Sequence, residues 1–118
     1  MVGVDPTPTI LYNVGMPREA SIQLEAFIDE AIRRCEQARP PYHPIIFKRM
    51  RNNYGTLDAI ERLVRSGEIQ TGFHKLKSMN MLEWTIESAV LKFSGEFGKE
   101  IREAAKWRLE QAQRSTKI

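Results

Sequence analysis

The stretch GFHKLKSMNMLEWTIESAVL, residues 72–91, has the outline of two short helices joined at Asn80. In a chain of net charge +3 that outline raises the question of a DNA-reading helix-turn-helix. The second half answers it. At about 100° per residue, Leu82, Ile86, Ala89, Val90 and Phe93 fall within about a third of the circle, while Trp84 and Leu91 lie nearly opposite. Glu83 and Glu87 form one narrow polar ridge, with Ser88 and Lys92 on the other flank. A helix apolar on nearly all sides is one that others enclose, so the pattern predicts a central helix over 82–93. A recognition helix must offer polar or basic side chains to the groove, above all near its N-terminus. Carboxylates at Glu83 and Glu87 would repel phosphate instead. The outline is that of a helix-turn-helix; the chemistry is not.

The flanking sequence supplies the enclosing helices. Residues 17–38, PREASIQLEAFIDEAIRRCEQA, place Leu24, Phe27, Ile28, Ala31, Ile32 and Cys35 at intervals of three and four, one stripe of a long helix. Pro17 suits its first position, and RPPYHP at 39–44 ends it. The segment 44–54 reads as a short helix opened by Pro44 and closed by Gly55. The next, 56–66, has Thr56 as its expected N-cap, Asp58 in the first turn, Arg65 in the last and Gly67 at its end. A short helix follows, capped by Thr71, with Asn80 near its end. Residues 96–114 form the long last helix, with Ser94 as its expected cap and Phe97, Ile101, Ala104, Ala105 and Ala112 as its stripe. Arg108 projects from inside that stripe and should snorkel or meet a carboxylate. The expectation is an all-α, single compact helical domain over 17–118, of about five to six helices with long N- and C-terminal ones, preceded by an extended arm over 1–16.

A chain of 118 residues is one domain in size. No apolar run approaches the ~18 residues of a membrane span. The first fifteen residues lack a basic start and carry Pro6 and Pro8 where a signal peptide would be helical, so a cytoplasmic protein is expected. A single cysteine excludes an internal disulfide and a four-thiolate zinc site. Because Cys35 falls on a helix stripe, it reads as a small hydrophobe rather than a reactive thiol. Charge is uneven: residues 1–40 carry four basic and six acidic side chains, residues 41–118 fourteen and nine. That balance permits a polyanion partner but is milder than in dedicated nucleic-acid binders.

Candidate sites are few. There is no dinucleotide fingerprint, phosphate loop or His-Glu-x-x-His zinc motif. His43, Asn52 or Asn53, and His74 could be forced into a His-Asn-His nuclease pattern, yet that site needs a strand pair with a helix, and these residues lie in predicted helices or turns. No catalytic residue, metal or cofactor is expected. The best polar candidate is the face of 44–54 bearing Lys48, Arg49, Asn52 and Asn53, with Arg51 at its flank, whose chemistry suits phosphate or partner contacts. An ordinary solvated face is the competing reading. The best apolar candidate is Trp84 with Leu91, either core or a partner surface.

Tyr42, Pro44, Phe47, Tyr54 and Gly55, then Gly72, Phe73 and Leu76, then Leu82, Thr85, Ile86, Glu87, Val90 and Leu91 recur in a recognisable order. Residues 42–91 resemble, on these positions, a poorly characterised helical segment of bacterial proteins, of the type Tyr-Asn-Pro-x-x-Phe, Tyr-Gly-Gly, Gly-Phe-x-x-Leu, Leu-x-x-Thr-(Val/Ile)-Glu-x-x-Val-Leu. His43 stands where that pattern has Asn, and Thr56 where it has a second Gly. Such segments occur alone or beside nuclease-type domains. The resemblance implies an accessory role in DNA processing or defence and no catalytic residues to carry over. The expectation is therefore a non-catalytic helical interaction module. Its first candidate partner is a protein, its second DNA or RNA bound directly by the basic face, and a second copy of the chain is a further candidate.

Overall fold

The computed structural model describes residues 19–66 and 71–115. The expected arm over 1–16, Pro17 and Gly67 lie outside the described residues. Among those described, the chain is all-α, with six helices and no strand. They are α1 (Ile22–Gln37), α2 (Ile45–Tyr54), α3 (Thr56–Arg65), α4 (Thr71–Ser78), α5 (Ile86–Lys92) and α6 (Lys99–Ser115), with 3₁₀ turns at Leu82–Trp84 and Ser94–Glu96.

α1 starts later than the sequence implied because Ser21 caps it. The Ser21 backbone is extended, and its hydroxyl accepts from the Leu24 N–H at 3.0 Å. Leu24, Ile28, Ala31 and Cys35 then form the buried stripe. Glu96, expected inside the last helix, instead serves α1. Its carboxylate accepts from the Ser21 N–H at 2.8 Å and the Ser21 hydroxyl at 2.5 Å. Ser94 therefore opens a 3₁₀ turn rather than capping α6, which begins only at Lys99.

A single residue separates α2 from α3. Gly55 has φ +88° and ψ 164°, a conformation closed to residues with a Cβ. Gly55 occupies the N-cap position of α3, so Thr56 falls inside the helix and does not cap it. The Thr56 hydroxyl is used across the fold instead, donating to Glu25 Oε1 at 2.6 Å.

The expected continuous helix over 82–93 is broken. Thr85 adopts an extended backbone (φ −76°, ψ 161°) and becomes the N-cap of α5, its Oγ1 accepting from the Ser88 N–H at 3.1 Å. The same hydroxyl donates to the Leu82 carbonyl at 2.8 Å, holding the preceding 3₁₀ turn. A threonine that can satisfy both sides of a break outweighs the modest gain from continuing the helix. Asn80, just ahead, takes φ +60° as the chain leaves α4.

The central position of this segment holds. α5 packs against α1, α3 and α6, with Ala89 and Val90 fully buried. Around them lie Leu24 and Ile28 of α1, Ile60 and Val64 of α3, and Ile101 and Ala105 of α6. Ile86 and Phe93 pack at the edge of this core. Among the described residues, no helix is long and apolar enough to cross a membrane.

Candidate functional site

The five residues of the predicted basic face are not equally available. Arg51 turns inward toward α1. Its Nη2 meets Glu25 Oε1 at 2.5 Å, its Nη1 meets Asp29 Oδ1 at 2.8 Å, and its Nε donates to Thr56 Oγ1 at 2.9 Å. Its side chain is only 19% exposed. Burial works against its charge, but the hydrogen bonds it donates to Glu25 and Asp29, with their negative charge, prevail and its pKa is raised. Arg51 is a clamp between α1 and the α2–α3 junction. Lys48 is exposed and paired, its Nζ 2.8 Å from Glu36 Oε2. That hydrogen bond is the main reason the Glu36 carboxyl titrates below its ordinary range, and His43 Nδ1, 3.5 Å away, adds to it. Arg49, Asn52 and Asn53 are exposed. Ile45 and Ile46, in the first turn of the same helix, are 60% and 68% exposed. The outer surface of α2 thus combines two isoleucines with a partly neutralised basic patch.

Trp84 and Leu91 do not share a face. The break at Thr85 puts Trp84 in the 3₁₀ turn, where its ring stacks on Phe27 with centroids 5.0 Å apart. The Arg34 guanidinium sits 4.5 Å from the centre of the same ring. Leu91 is exposed at 38% on α5.

Trp84, Thr85, Ile86 and Glu87 help to enclose a cleft of about 550 Å³. α1 supplies Ile32 and Cys35 to one wall, α4 supplies Phe73 and Leu76 to another, and Ile45 and Ile46 stand at α2's contribution. Tyr42 also lines it and packs over Gly72, where a Cβ would come within 3.0 Å of the Tyr42 hydroxyl. The Cys35 thiol is buried, and burial raises its pKa, which agrees with an inert residue.

Glu87 is the polar exception in this wall. The wheel through 82–93 places it on a narrow polar ridge; in the structure it is 1% exposed, because Arg108 of α6 and the end of α3 close over that side of α5. Its Oε2 accepts from Arg108 Nη1 at 2.6 Å, and Arg108 Nη2 donates to the Val64 carbonyl at 3.0 Å. The carboxylate that Arg108 required is therefore Glu87. Its Oε1 is buried without a hydrogen-bond partner among the described residues. Burial raises the Glu87 pKa, opposed first by the residue's own backbone N–H and then by Arg108.

His43 and His74 are both exposed, and no group of three or more His, Cys, Asp or Glu among the described residues could hold a metal ion. The cleft itself leaves no trace in the sequence, since it arises from how helices α1 to α5 and the Leu82–Trp84 turn meet. No protein family, curated protein or solved structure matches the chain.

Proposed function

We propose that this chain is a non-catalytic helical interaction module that works through a protein partner seated on α2. The observation that carries this reading is the exposure of Ile45 and Ile46 in the same helix as Arg49. Large apolar residues beside an exposed cation suit a partner segment that is apolar with an acidic flank. A bacterial DNA-processing or defence setting rests on the sequence resemblance alone. Direct DNA or RNA binding is the alternative. It is left with Arg49, Asn52 and Asn53 as ready contacts, since carboxylates of α1 already engage Lys48 and Arg51.

The test is a photo-crosslinking amino acid at position 46 in the native host, with a second at Lys106 on α6 as control. A discrete adduct at 46 that disappears with Arg49→Glu supports the reading. Adducts of equal yield at both positions, or a position-46 adduct indifferent to Arg49→Glu, would remove it.

A further inference from the structure

Beyond Ile45 and Ile46, the wall of the cleft holds a carboxylate oxygen that the fold leaves buried and unsatisfied. Buried polar atoms are hydrogen-bonded in the great majority of native proteins, and an exception calls for a physical account. Glu87 Oε2 is held by Arg108, whereas Oε1 has no donor and is closed to water. Glu87 is also part of the wall of the 550 Å³ cleft. That volume lies in the range of small-molecule sites, which are apolar enclosures with a few convergent polar groups. Here the apolar enclosure comes from Ile32, Phe73, Leu76 and the Trp84 ring. The polar residues of the lining are Glu87, the Tyr42 whose hydroxyl lies over Gly72, His43 and Thr85, and of these Glu87 alone has a buried acceptor left open.

We infer that the cleft is a binding site for a small apolar molecule carrying an amine at one end, with the ammonium donating to Glu87 Oε1. Acceptor-only chemistry at Oε1 selects a donor and rejects a carboxylate of the same shape. Binding requires a turn of the Glu87 carboxyl about its bond to Cγ that brings the buried Oε1 to the cleft. Arg108 has further donors with which to follow Oε2. Oε1 keeps acceptor lone pairs that Arg108, engaged through Oε2, does not use, and an N–H donor fills them. The apolar body of the ligand lies against Trp84, which gives an optical signal. The cleft shares Ile45 and Ile46 with the α2 partner surface, but its ligand is anchored by Glu87, which has no role there, so the two readings are tested by different residues.

The experiment uses the full chain carrying Trp107→Phe, which removes the exposed second tryptophan and leaves Trp84 as the sole reporter. Three probes of matched shape are titrated: 4-phenylbutylamine, 4-phenylbutanol and 4-phenylbutyrate. The expected order of affinity is amine, then alcohol, then carboxylate. The amine should exceed the carboxylate by about ten- to a hundredfold, the worth of a hydrogen bond to a charged group. Glu87→Gln should reduce that ratio to about threefold or less, because the ionised acceptor is gone. Ala31→Leu, which places bulk in the cleft wall away from Glu87, should weaken all three probes with helicity unchanged. It decides the matter together with the native ranking should Glu87→Gln not fold. Equal affinities for the three probes, no binding by the folded native chain, or an amine preference that survives in folded Glu87→Gln would each overturn the inference.

Discussion

Arg108 of α6 and Glu87 of α5 form a buried ion pair at 2.6 Å, with side-chain exposures of 6% and 1%. The pair joins the central helix to the last one, and the second arm of Arg108 reaches the Val64 carbonyl of α3. Removing one member leaves the other charged and dry, at a cost of about 3–5 kcal/mol. Arg108→Met is therefore expected to lower unfolding free energy by that amount in urea. The double variant Arg108→Met, Glu87→Leu should recover most of the loss, because apolar replacement of a whole buried pair is often neutral. A double variant as unstable as the single one would mean the pair contributes through its hydrogen bonds to the backbone and not as a pair.

The same carboxyl sets a pH dependence with a definite sign. The folded-state pKa of Glu87 is raised above its unfolded value, chiefly by burial. The native state then binds the proton more tightly than the unfolded one, so this group's contribution falls as pH rises. The loss begins in the ordinary carboxylate range, about pH 4, and ends once pH passes the raised folded value. Lowered carboxyls such as Glu36 act in the opposite direction, so the measurement is the difference between native and Glu87→Gln chains. That difference should shift against the native chain over this window and be flat above it. A difference independent of pH, in urea titrations from about pH 4 upward, would show that Glu87 titrates normally.

Much of this fold is written in the sequence, and the exceptions have physical causes. The stripes of α1 and α6 predicted Leu24, Ile28, Ile101 and Ala105 as core, since helical periodicity is a local property. Arg108 within an apolar stripe announced a buried carboxylate, but not which one. The error lay at Thr85. A wheel assumes one helix, and Thr85 followed by Ser88 three residues later is an N-cap arrangement that restarts it. Moving that boundary takes Trp84 off the helix, while Glu87 is core because Arg108 of α6 and the end of α3 close over its side of α5. Glu96 was misplaced for a related reason, because its partner Ser21 is 75 residues away in sequence. The orphan oxygen and the cleft depend on tertiary packing and leave no local pattern to read.

Arg49 and Arg51 are two residues apart on α2, and the fold separates their roles. Arg51 makes hydrogen bonds to Glu25, Asp29 and Thr56, whereas Arg49 is exposed. Arg51→Ala should destabilise by about 1–3 kcal/mol, since it removes a charge-assisted set and leaves Thr56 and Glu25 with one another alone. Arg49→Ala should stay within about 0.5 kcal/mol of native, as surface changes usually do. Thermal and urea unfolding of the two single variants check the contrast. Equal losses would mean that the Arg51 clamp is no stronger than a solvated ion pair.

Nucleic-acid binding can be judged by its salt dependence. Each phosphate neutralised on a duplex contributes about −0.9 to the slope of log affinity against log salt. Three cations on α2 would give about −2.7, but Arg51 is committed to Glu25 and Asp29, and Lys48 to Glu36. With Arg49 alone in ready reach, the expected slope is about −1 and binding at physiological salt is no tighter than about 10⁻⁵ M. Arg49→Glu should abolish even that, equally for all sequences, because phosphates carry no base identity. A slope near −3 with submicromolar affinity would require Lys48 and Arg51 to leave their carboxylates on binding. Direct nucleic-acid recognition would then displace the protein-partner reading of α2.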